Sequence, residues 1–305
     1  FEKGWGVFQA WWWVIPPFLL WGSFKYLYHF WRMTVWDSTI KKVIIEIKLP
    51  EKIEKPIKAM DYVFAGFHAI HDVITGREKW LEGQFQLSIS LEIAGIDGKI
   101  HFFIRMPEMY RDVIESNIYS QYPEVEIVDV EDYTKKVPDS IPNRDWDLFG
   151  MSWENTKDYC YPLKTYVQFE SEMEKLEERI VDPLSGLLEA LGTLNPGEQA
   201  WIQILCKPIR EDDKPWIKDA LAVRDKLIRR PDETPPHPKP MITEAIEIVV
   251  SGPPQKKEEG PREIIPPEMK LTPGEREIVQ AIEQKISKFA YDCHIRTIYL
   301  GRKDS

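Results

Sequence analysis

Two histidines, His68 and His71, are the best candidates for metal chemistry in this sequence. They stand three residues apart in a segment with helical periodicity, so both rings are expected on one side of a helix. A zinc site takes at least three protein ligands, and the sequence places no third ligand near this pair. We therefore interpret the pair as a polar helix edge and predict neither a metal site nor a cofactor. A membrane-bound enzyme that uses the two histidines is the weakest of the functions considered.

The sequence contains none of the motifs that indicate nucleotide or nucleophile chemistry. No segment reads Gly-x4-Gly-Lys-Ser/Thr, the loop that cradles phosphates, and no Gly-x-Gly-x-x-Gly follows a predicted strand. The acidic stretch Glu172–Glu178 has the charge pattern of a solvated helix face. Arg105 and Arg111 stand near a predicted helix start, where an anion could bind, but nearer partners are available in Glu108, Asp112 and Glu115. We predict no catalytic residue and no enzyme.

The composition suits a globular body and argues against nucleic acid as a partner. The 305 residues carry a formal net charge of −10, whereas affinity for nucleic acid depends on phosphate neutralisation by lysine and arginine. The three cysteines are far apart and show no metal-site spacing: Cys160, Cys206 and Cys293. Their odd number, in a body predicted to be cytoplasmic, indicates free and buried thiols.

The first stretch, Gly4–Phe24, has no charged residue and is long enough for a membrane-spanning helix. About 20 helical residues cross a bilayer core of about 30 Å. Tryptophan favours the membrane interface, and five tryptophans lie in the run: Trp5, Trp11, Trp12, Trp13 and Trp21. Pro16 and Pro17 fall mid-run, where they are expected to kink or split the helix. We predict a membrane anchor over residues 1–36.

Two other interpretations of this stretch compete with a span. A secretory signal peptide is shorter in its apolar part and ends in small residues before a cleavage site. A helix in the headgroup plane needs a charged face, which Gly4–Phe24 lacks, although the next segment, Lys25–Arg32, could lie flat. Positive charge stays on the cytoplasmic side, and it follows the run at Lys25, Arg32, Lys41 and Lys42, against Lys3 before it. We predict a single-pass protein of the cell membrane with the lipid bilayer as a partner and a cytoplasmic body.

The first predicted domain, residues 37–133, has the element order of the ferredoxin-like, or split βαβ, fold. Alternating apolar residues predict four strands, with one helix after the first strand and one after the third. The strands are predicted at 43–49, 84–93, 100–106 and 125–130, and the helices at 55–74 and 108–119. Asp97-Gly98 is expected to form the turn of a hairpin. The predicted helical core includes Phe64, Phe67 and Val113.

The second predicted domain, residues 159–305, follows a polar connection at 134–158 and has a similar plan with one strand unassigned. Strands are predicted at 162–170, 199–209 and 294–300, and helices at 184–194, 214–229, 241–250 and 272–290. Thr272-Pro-Gly-Glu275 predicts a capping box. Proline-rich linkers are expected at 231–240 and 252–267. The predicted fold class is α+β, with an N-terminal transmembrane helix followed by two ferredoxin-like modules.

Several segments resemble one family, in this order along the chain: Phe103–Ile127, Tyr161–Tyr166, Asp182–Leu184, Pro196–Ile204 and Thr272–Glu275. They are similar to the membrane-anchored N-terminal region of proteins related to type IV secretion and conjugative DNA-transfer ATPases, in the HerA/FtsK superfamily. The likeness covers roughly residues 43–304. It implies a ring-forming homo-oligomer that contacts other subunits of a membrane complex. In such proteins the nucleotide motifs lie further along the chain, so the resemblance assigns no catalytic residue here.

These observations predict a membrane-anchored, non-catalytic assembly or scaffold region of a type IV secretion-like or conjugative-transfer complex. It would oligomerise at the cytoplasmic face of the membrane without binding nucleic acid directly. The alternative is a stand-alone membrane scaffold that forms a ring or cage with no associated motor. A phosphate-binding loop later in a longer chain would favour the first function over the second.

Overall fold

A computed structural model describes residues 15–51, 55–169, 184–228 and 271–303. Within these ranges seven strands form one sheet in which all neighbouring pairs are antiparallel. The strands are β1 (Lys42–Lys48), β2 (Ile89–Ile96), β3 (Lys99–Pro107), β4 (Glu126–Asp129), β5 (Trp146–Trp153), β6 (Glu198–Ile209) and β7 (Ala290–Arg302). They lie in the order β4-β1-β3-β2-β6-β7-β5. The predicted α+β class is confirmed.

Six α-helices have both bounds in the same ranges: α1 (Ile15–Thr39), α2 (Ala59–Phe67), α3 (Arg111–Gln121), α4 (Ser185–Gly192), α5 (Trp216–Ile228) and α6 (Pro273–Ile286). The chain divides into two compact units. The sheet unit takes its described residues from Phe1–Glu154, Thr165–Ile209 and Phe289–Ser305. The helical unit takes them from Asn155–Lys164 and Arg210–Lys288, and it contains α5 and α6.

The first part of the sheet unit has the element order that the sequence predicts, β1-α2-β2-β3-α3-β4. β2 and β3 form the predicted hairpin, with Ile96 paired to Lys99 across the turn. Asp97 has a φ of 51° and Gly98 a φ of 74°. Positive φ at both central residues is the geometry of the tight hairpin turn that matches the twist of the strands, and it explains why Asp-Gly stands here.

The helix predicted over residues 55–74 is shorter in the structure. It corresponds to α2 and continues only as a 3-10 turn at His68–Ile70. His71 then has an extended backbone, with φ −68° and ψ 122°. A residue with that ψ cannot continue a helix, so the apolar residues that follow, which fit the helical period, lie outside it.

The main core of the sheet unit packs α2 and α3 against β1, β2 and β3. Phe67 of α2 and Ile114 of α3 are buried together with Ile45, Ile89 and Ile104 of the sheet. Phe64 and Val113 pack against this cluster and are partly buried. The placement of Phe64, Phe67 and Val113 in the core of the helices is confirmed.

A second core covers the opposite face of the sheet. The aromatic ring of Tyr133, in a 3-10 turn after β4, stacks on Phe103 with a centroid distance of 4.9 Å. The edge of the same ring meets Trp201 at 5.0 Å. Ile44, Ala94 and Leu300 complete the buried part of this cluster. The segment that follows β4 therefore closes the sheet face that α2 and α3 leave open.

The later strands and helices follow the prediction in part. β6, α5 and α6 lie close to their predicted positions, and β7 is longer than predicted at both ends. Thr272 and Glu275 form the predicted capping box, in which each side chain binds the backbone N–H of the other residue. β2 pairs with β6 from Ile89 to Ile96. The strands of both predicted domains thus lie in one continuous sheet.

Two predicted features of residues 134–170 are wrong. The connection at 134–158 contains a strand, β5, whose two faces are both exposed and therefore show no clear alternation of apolar and polar residues. The strand predicted at 162–170 is absent up to Phe169, because the backbone turns instead, with Thr165 O accepting from the N–H groups of Gln168 and Phe169. Glu170 lies outside the described residues, as do the predicted helix at 241–250, both proline-rich linkers and Glu172–Glu178.

Candidate functional site

The second half of α1 is fixed to the sheet unit. His29 packs on Trp80 with ring centroids 4.8 Å apart, and Trp36 meets Phe85 edge-on at 5.1 Å. Trp80 belongs to a π-helical turn at Glu78–Glu82. Gly83 ends this turn with a φ of 78°, and a Cβ there would lie 2.4 Å from the carbonyl group of Arg32. Only glycine allows this close approach, which holds the helix against the turn.

The first half of α1 projects large apolar side chains that the described residues leave uncovered. Leu19 is 77% exposed, Tyr26 71% and Leu27 62%. Others are more than half exposed: Leu20, Trp21, Phe24, Phe30 and Trp31. They occupy consecutive positions as well as positions three and four apart, so they form a broad exposed face of the helix rather than one narrow stripe. We call the residues Leu19–Trp31 the apolar segment of α1. Soluble monomers rarely expose a contiguous apolar surface of this kind without a binding role.

The structure places the predicted anchor residues in three groups. Trp5, Trp11, Trp12 and Trp13 lie outside the described residues. Pro16 and Pro17 lie in the first turn of α1. A proline there has no helical hydrogen bond to lose. The prediction that the pair kinks or splits a longer helix involves residues 4–14, which lie outside the described residues.

The remaining anchor residues lie within α1 and make aromatic contacts. Trp21 stacks on Phe24 with a centroid distance of 6.0 Å. The Nζ atom of Lys25 lies 5.4 Å from the ring centroid of Trp80. The guanidinium carbon of Arg32 lies 5.7 Å from the ring of Trp31. Both cations thus lie within the range of cation–π attraction, and their apolar stems cover aromatic surface.

The described residues contain no helix whose length and apolar content are sufficient to cross a bilayer. Residues 4–14 of the predicted span lie outside the described residues.

His68 is buried, so the prediction that it lies on a polar helix edge is wrong. Its ring stacks on Phe289 at 4.7 Å, and its Nε2 atom lies 3.1 Å from the carbonyl oxygen of Ile209. The 3-10 turn after α2 rotates His68 into the same interior as Phe67. The ring of His71 stacks 6.0 Å away and is partly exposed. Across the described ranges, no three His, Cys, Asp or Glu side chains converge on a possible metal site.

A buried polar row crosses the second core, and no pattern in the sequence indicates it. Glu92 is almost fully buried, and its carboxylate accepts a hydrogen bond of 2.5 Å from the hydroxyl of Tyr133. That hydroxyl accepts from Gln203, 2.9 Å away, and Gln203 in turn accepts from Arg296 at 2.6 Å. Arg105 donates to the other carboxylate oxygen of Glu92. Burial, together with the neighbouring Glu92 charge, raises the pKa of Tyr133.

The predicted ion-pair partners are confirmed for Arg111 and wrong for Arg105. Arg111 binds Glu115, one turn away, at 2.7 Å, as the sequence indicates. Arg105 instead binds Glu92 and Asp132, which are distant in sequence. Its guanidinium lowers the pKa of the Asp132 carboxyl well below the ordinary value. The acceptors and donors of this row are used by one another, so its chemistry is that of a structural network.

Two of the three cysteines are neighbours across β6 and β7. Their wide separation in the sequence gives no indication of this contact. Cys206 and Cys293 are directly opposed residues of the two strands, and their sulfur atoms lie 3.7 Å apart. Cys206 and Cys160 are buried, whereas Cys293 is exposed. All three are free thiols, but the prediction of burial is wrong for Cys293, which is exposed although it lies beside Cys206 on the same face of the sheet.

Among the described strands β5 pairs with β7 alone, so it forms one edge of the described sheet. Its side chains are mostly apolar, and several are exposed: Leu148 43%, Phe149 60%, Met151 39% and Trp153 58%. The strand contains a single charged residue, Asp147. An edge strand with no lysine, no proline and no bulge lacks the features that prevent pairing with another strand.

Comparison with known proteins gives one match. The family model described as a domain of unknown function (DUF8128) matches residues 37–305. No curated protein and no solved structure matches this chain. The matched region begins within the last turn of α1 and includes every strand described above.

Proposed function

We propose that this chain, which belongs to the DUF8128 family, is a membrane-anchored assembly module with no catalytic activity of its own. The observation that carries the proposal is the apolar segment of α1, where eight large apolar side chains are more than half exposed. A lipid surface is the partner that fits it best, because aromatic and aliphatic side chains form a broad exposed face and Lys25 is the single charged residue of the segment. The first turn of α1 continues from an uncharged stretch, Gly4–Val14, which extends the same character.

The free energy of burying the apolar segment of α1 in lipid favours stable membrane attachment. Transfer of one leucine or phenylalanine side chain from water to an apolar phase contributes roughly 1.5–3 kcal/mol. A few side chains of the apolar segment would therefore exceed the roughly 8 kcal/mol that corresponds to micromolar affinity. The Trp80 and Gly83 contacts hold the helix against the sheet unit, so attachment of α1 would also fix that unit at the membrane surface.

The finer architecture that supports this proposal is a ferredoxin-like module made by β1 to β4. Their spatial order, β4-β1-β3-β2, with α2 and α3 on one face, is compatible with a split βαβ unit. β6, β7 and β5 would then extend the module into a larger sheet. The resemblance to the N-terminal region of type IV secretion and conjugative-transfer ATPases gives the proposed setting, a membrane complex of several subunits.

We propose further that the module is a homo-oligomer and that two copies pair through β5. An antiparallel pairing centred on Gly150 sets Phe149 of each copy opposite Met151 of the other. Cross-strand pairs of this kind stabilise a sheet by roughly 0.2–1 kcal/mol each, and sulfur–aromatic contact adds to them. The same arrangement places Leu148 opposite Ser152 and brings no like charges together.

Vesicle binding of the full chain tests the membrane proposal. Flotation with phosphatidylcholine–phosphatidylglycerol vesicles should recover the wild-type chain with the lipid. The double variant Leu20→Glu/Leu27→Glu places two charges on one side of α1 and should lower the apparent affinity at least about tenfold. A matched control, Leu49→Glu/Val73→Glu, makes the same change at exposed apolar positions outside α1 and should bind like wild type.

Two results would contradict the proposal: a wild-type chain that stays with the aqueous phase, or an α1 variant that floats as well as the control. Removal of residues 1–36 should release the body from lipid. Extraction with alkaline carbonate then distinguishes the two modes of attachment, because a spanning segment resists it and a helix in the headgroup plane does not.

A further inference from the structure

The Cys206–Cys293 pair has the backbone geometry of a disulfide although both thiols are free. The two residues are partners in the β6–β7 register, between the pairs Leu205–His294 and Lys207–Asp292. Opposed residues of antiparallel strands have Cα atoms about 4.5 or 5.5 Å apart, and disulfides accept roughly 4.4–6.8 Å. The sulfur atoms are already 3.7 Å apart, so rotation of the side chains alone can bring them into bonding distance.

The two thiols differ in the way that a reactive pair requires. Cys293 is exposed, whereas Cys206 is 7% exposed and packs in the main core of the sheet unit. Contact between the two thiols lowers the pKa of Cys293, and the same contact together with burial raises the pKa of Cys206. The thiolate is the nucleophilic form of cysteine. Cys293 is therefore both the accessible and the more readily ionised member.

We propose that Cys206 and Cys293 are a redox modification site, which a peroxide converts to a cross-strand disulfide. The Cys293 thiolate attacks one oxygen of hydrogen peroxide, the O–O bond breaks, and the departing hydroxide takes a proton to leave as water. Cys293 is then a sulfenic acid. Cys206 loses its proton to solvent and attacks the Cys293 sulfur, and the S–O bond breaks with release of a second water. The two thiols supply the two electrons that reduce the peroxide.

The position of this bond in the chain gives it a structural effect. The stretch between the two cysteines contains Arg210–Lys288, all of the described helical unit except Asn155–Lys164. Oxidation would close that stretch into a covalent loop and prevent β6 from separating from β7. Reduction by a thiol would reopen it. This inference rests on the sheet alone and is independent of the proposed membrane attachment.

The experiment uses the full chain, reduced and freed of reductant, then treated with limiting hydrogen peroxide. Intact mass should fall by the mass of two hydrogen atoms, and a non-reducing peptide map should join the Cys206 and Cys293 peptides. The matched control is Cys160→Ser, which removes the cysteine of the helical unit and should leave the reaction unchanged. Cys206→Ser should stop disulfide formation and leave a sulfenic acid at Cys293 that dimedone traps.

The rate of disulfide formation shows whether the fold promotes the reaction or whether any two cysteines of the chain would react equally well. In the folded chain the disulfide should form at least about tenfold faster than in the same chain unfolded in urea, because the strands hold the sulfurs together. Equal rates in the two states would overturn the proposal. So would a cross-link between two chains or to Cys160, or peroxide treatment that oxidises Cys293 to a sulfinic acid while Cys206 remains a thiol.

Discussion

The guanidinium of Arg105 donates two parallel hydrogen bonds, of 2.8 and 2.9 Å, to the carboxylate of Asp132. Asp132 also accepts from the backbone N–H and the hydroxyl of Thr134, the second residue of the 3-10 turn that begins at Tyr133. β3 thereby holds the segment that closes the second face of the sheet. A fork-to-fork contact of this type fixes direction as well as distance.

Replacement of Asp132 by Asn should destabilise the protein by about 1–3 kcal/mol near pH 7, because it removes a charged hydrogen-bond partner of Arg105. The folded pKa of Asp132 lies below its unfolded value. Unfolding therefore takes up a proton in the acid range, so the contribution of Asp132 is complete above the unfolded pKa and is lost as the pH falls through the folded pKa. Urea unfolding of wild type and Asp132→Asn should show a stability difference that shrinks below about pH 4.

Asp139 supplies the control for this measurement. It is an exposed carboxylate a few residues further along, and Asp139→Asn should change stability little at any pH. A difference for Asp132→Asn that stays constant from pH 7 into the acid range would show that the salt bridge is not the source of the effect.

The turn after α2 makes a second prediction. Phe67 is 1% exposed, and Phe67→Ala should cost about 3–5 kcal/mol by leaving a cavity. His68→Ala should also destabilise, by about 1–3 kcal/mol, because the buried carbonyl of Ile209 loses its partner. Tyr62→Ala, on the exposed side of the same helix, should be nearly neutral. Denaturant unfolding of the full chain measures the stability of the three variants. If His68→Ala leaves the stability unchanged, the interpretation of His68 as a buried, hydrogen-bonded residue is wrong.

The edge strand makes a third prediction, about oligomeric state. If β5 pairs with β5 of a second copy, Met151→Lys should shift the chain from dimer toward monomer, because a lysine on an edge strand opposes pairing. Sedimentation equilibrium of the residues beyond the anchor, 37–305, measures the change. Leu49→Lys, an exposed apolar position outside β5, should leave the dimer intact. A Met151→Lys chain with wild-type association would show that copies meet elsewhere.

Sequence patterns predicted the elements whose causes are local. The Asp97-Gly98 turn, the Thr272–Glu275 capping box and the alternation of β3 each depend on a few neighbouring residues. Those signals were sufficient for the order β1-α2-β2-β3-α3-β4. They did not predict the pairing of β2 with β6. The paired residues are more than a hundred positions apart, and their pairing depends on the folded sheet as a whole.

The features missed in the candidate sites share the same origin. Cys206 and Cys293 become neighbours only when β6 and β7 are in register. Glu92 finds Tyr133 only when the segment after β4 folds back over the sheet. The exposed apolar character of α1 was visible in the sequence, since Leu19–Trp31 contains Lys25 alone among charged residues, but which of its residues contact the sheet unit was not.

The position of β7 between β6 and β5 delays the pairing of β5 during synthesis. β5 is made early, at Trp146–Trp153, yet its only neighbour in the described sheet is made last, at Ala290–Arg302. At a translation rate of about 5–20 residues per second, the ribosome needs on the order of ten seconds to supply that neighbour. During this interval the nascent chain presents an apolar strand without its native partner. Chaperones that bind extended apolar peptides would have this interval in which to bind β5, and slower translation between the two strands would lengthen its exposure.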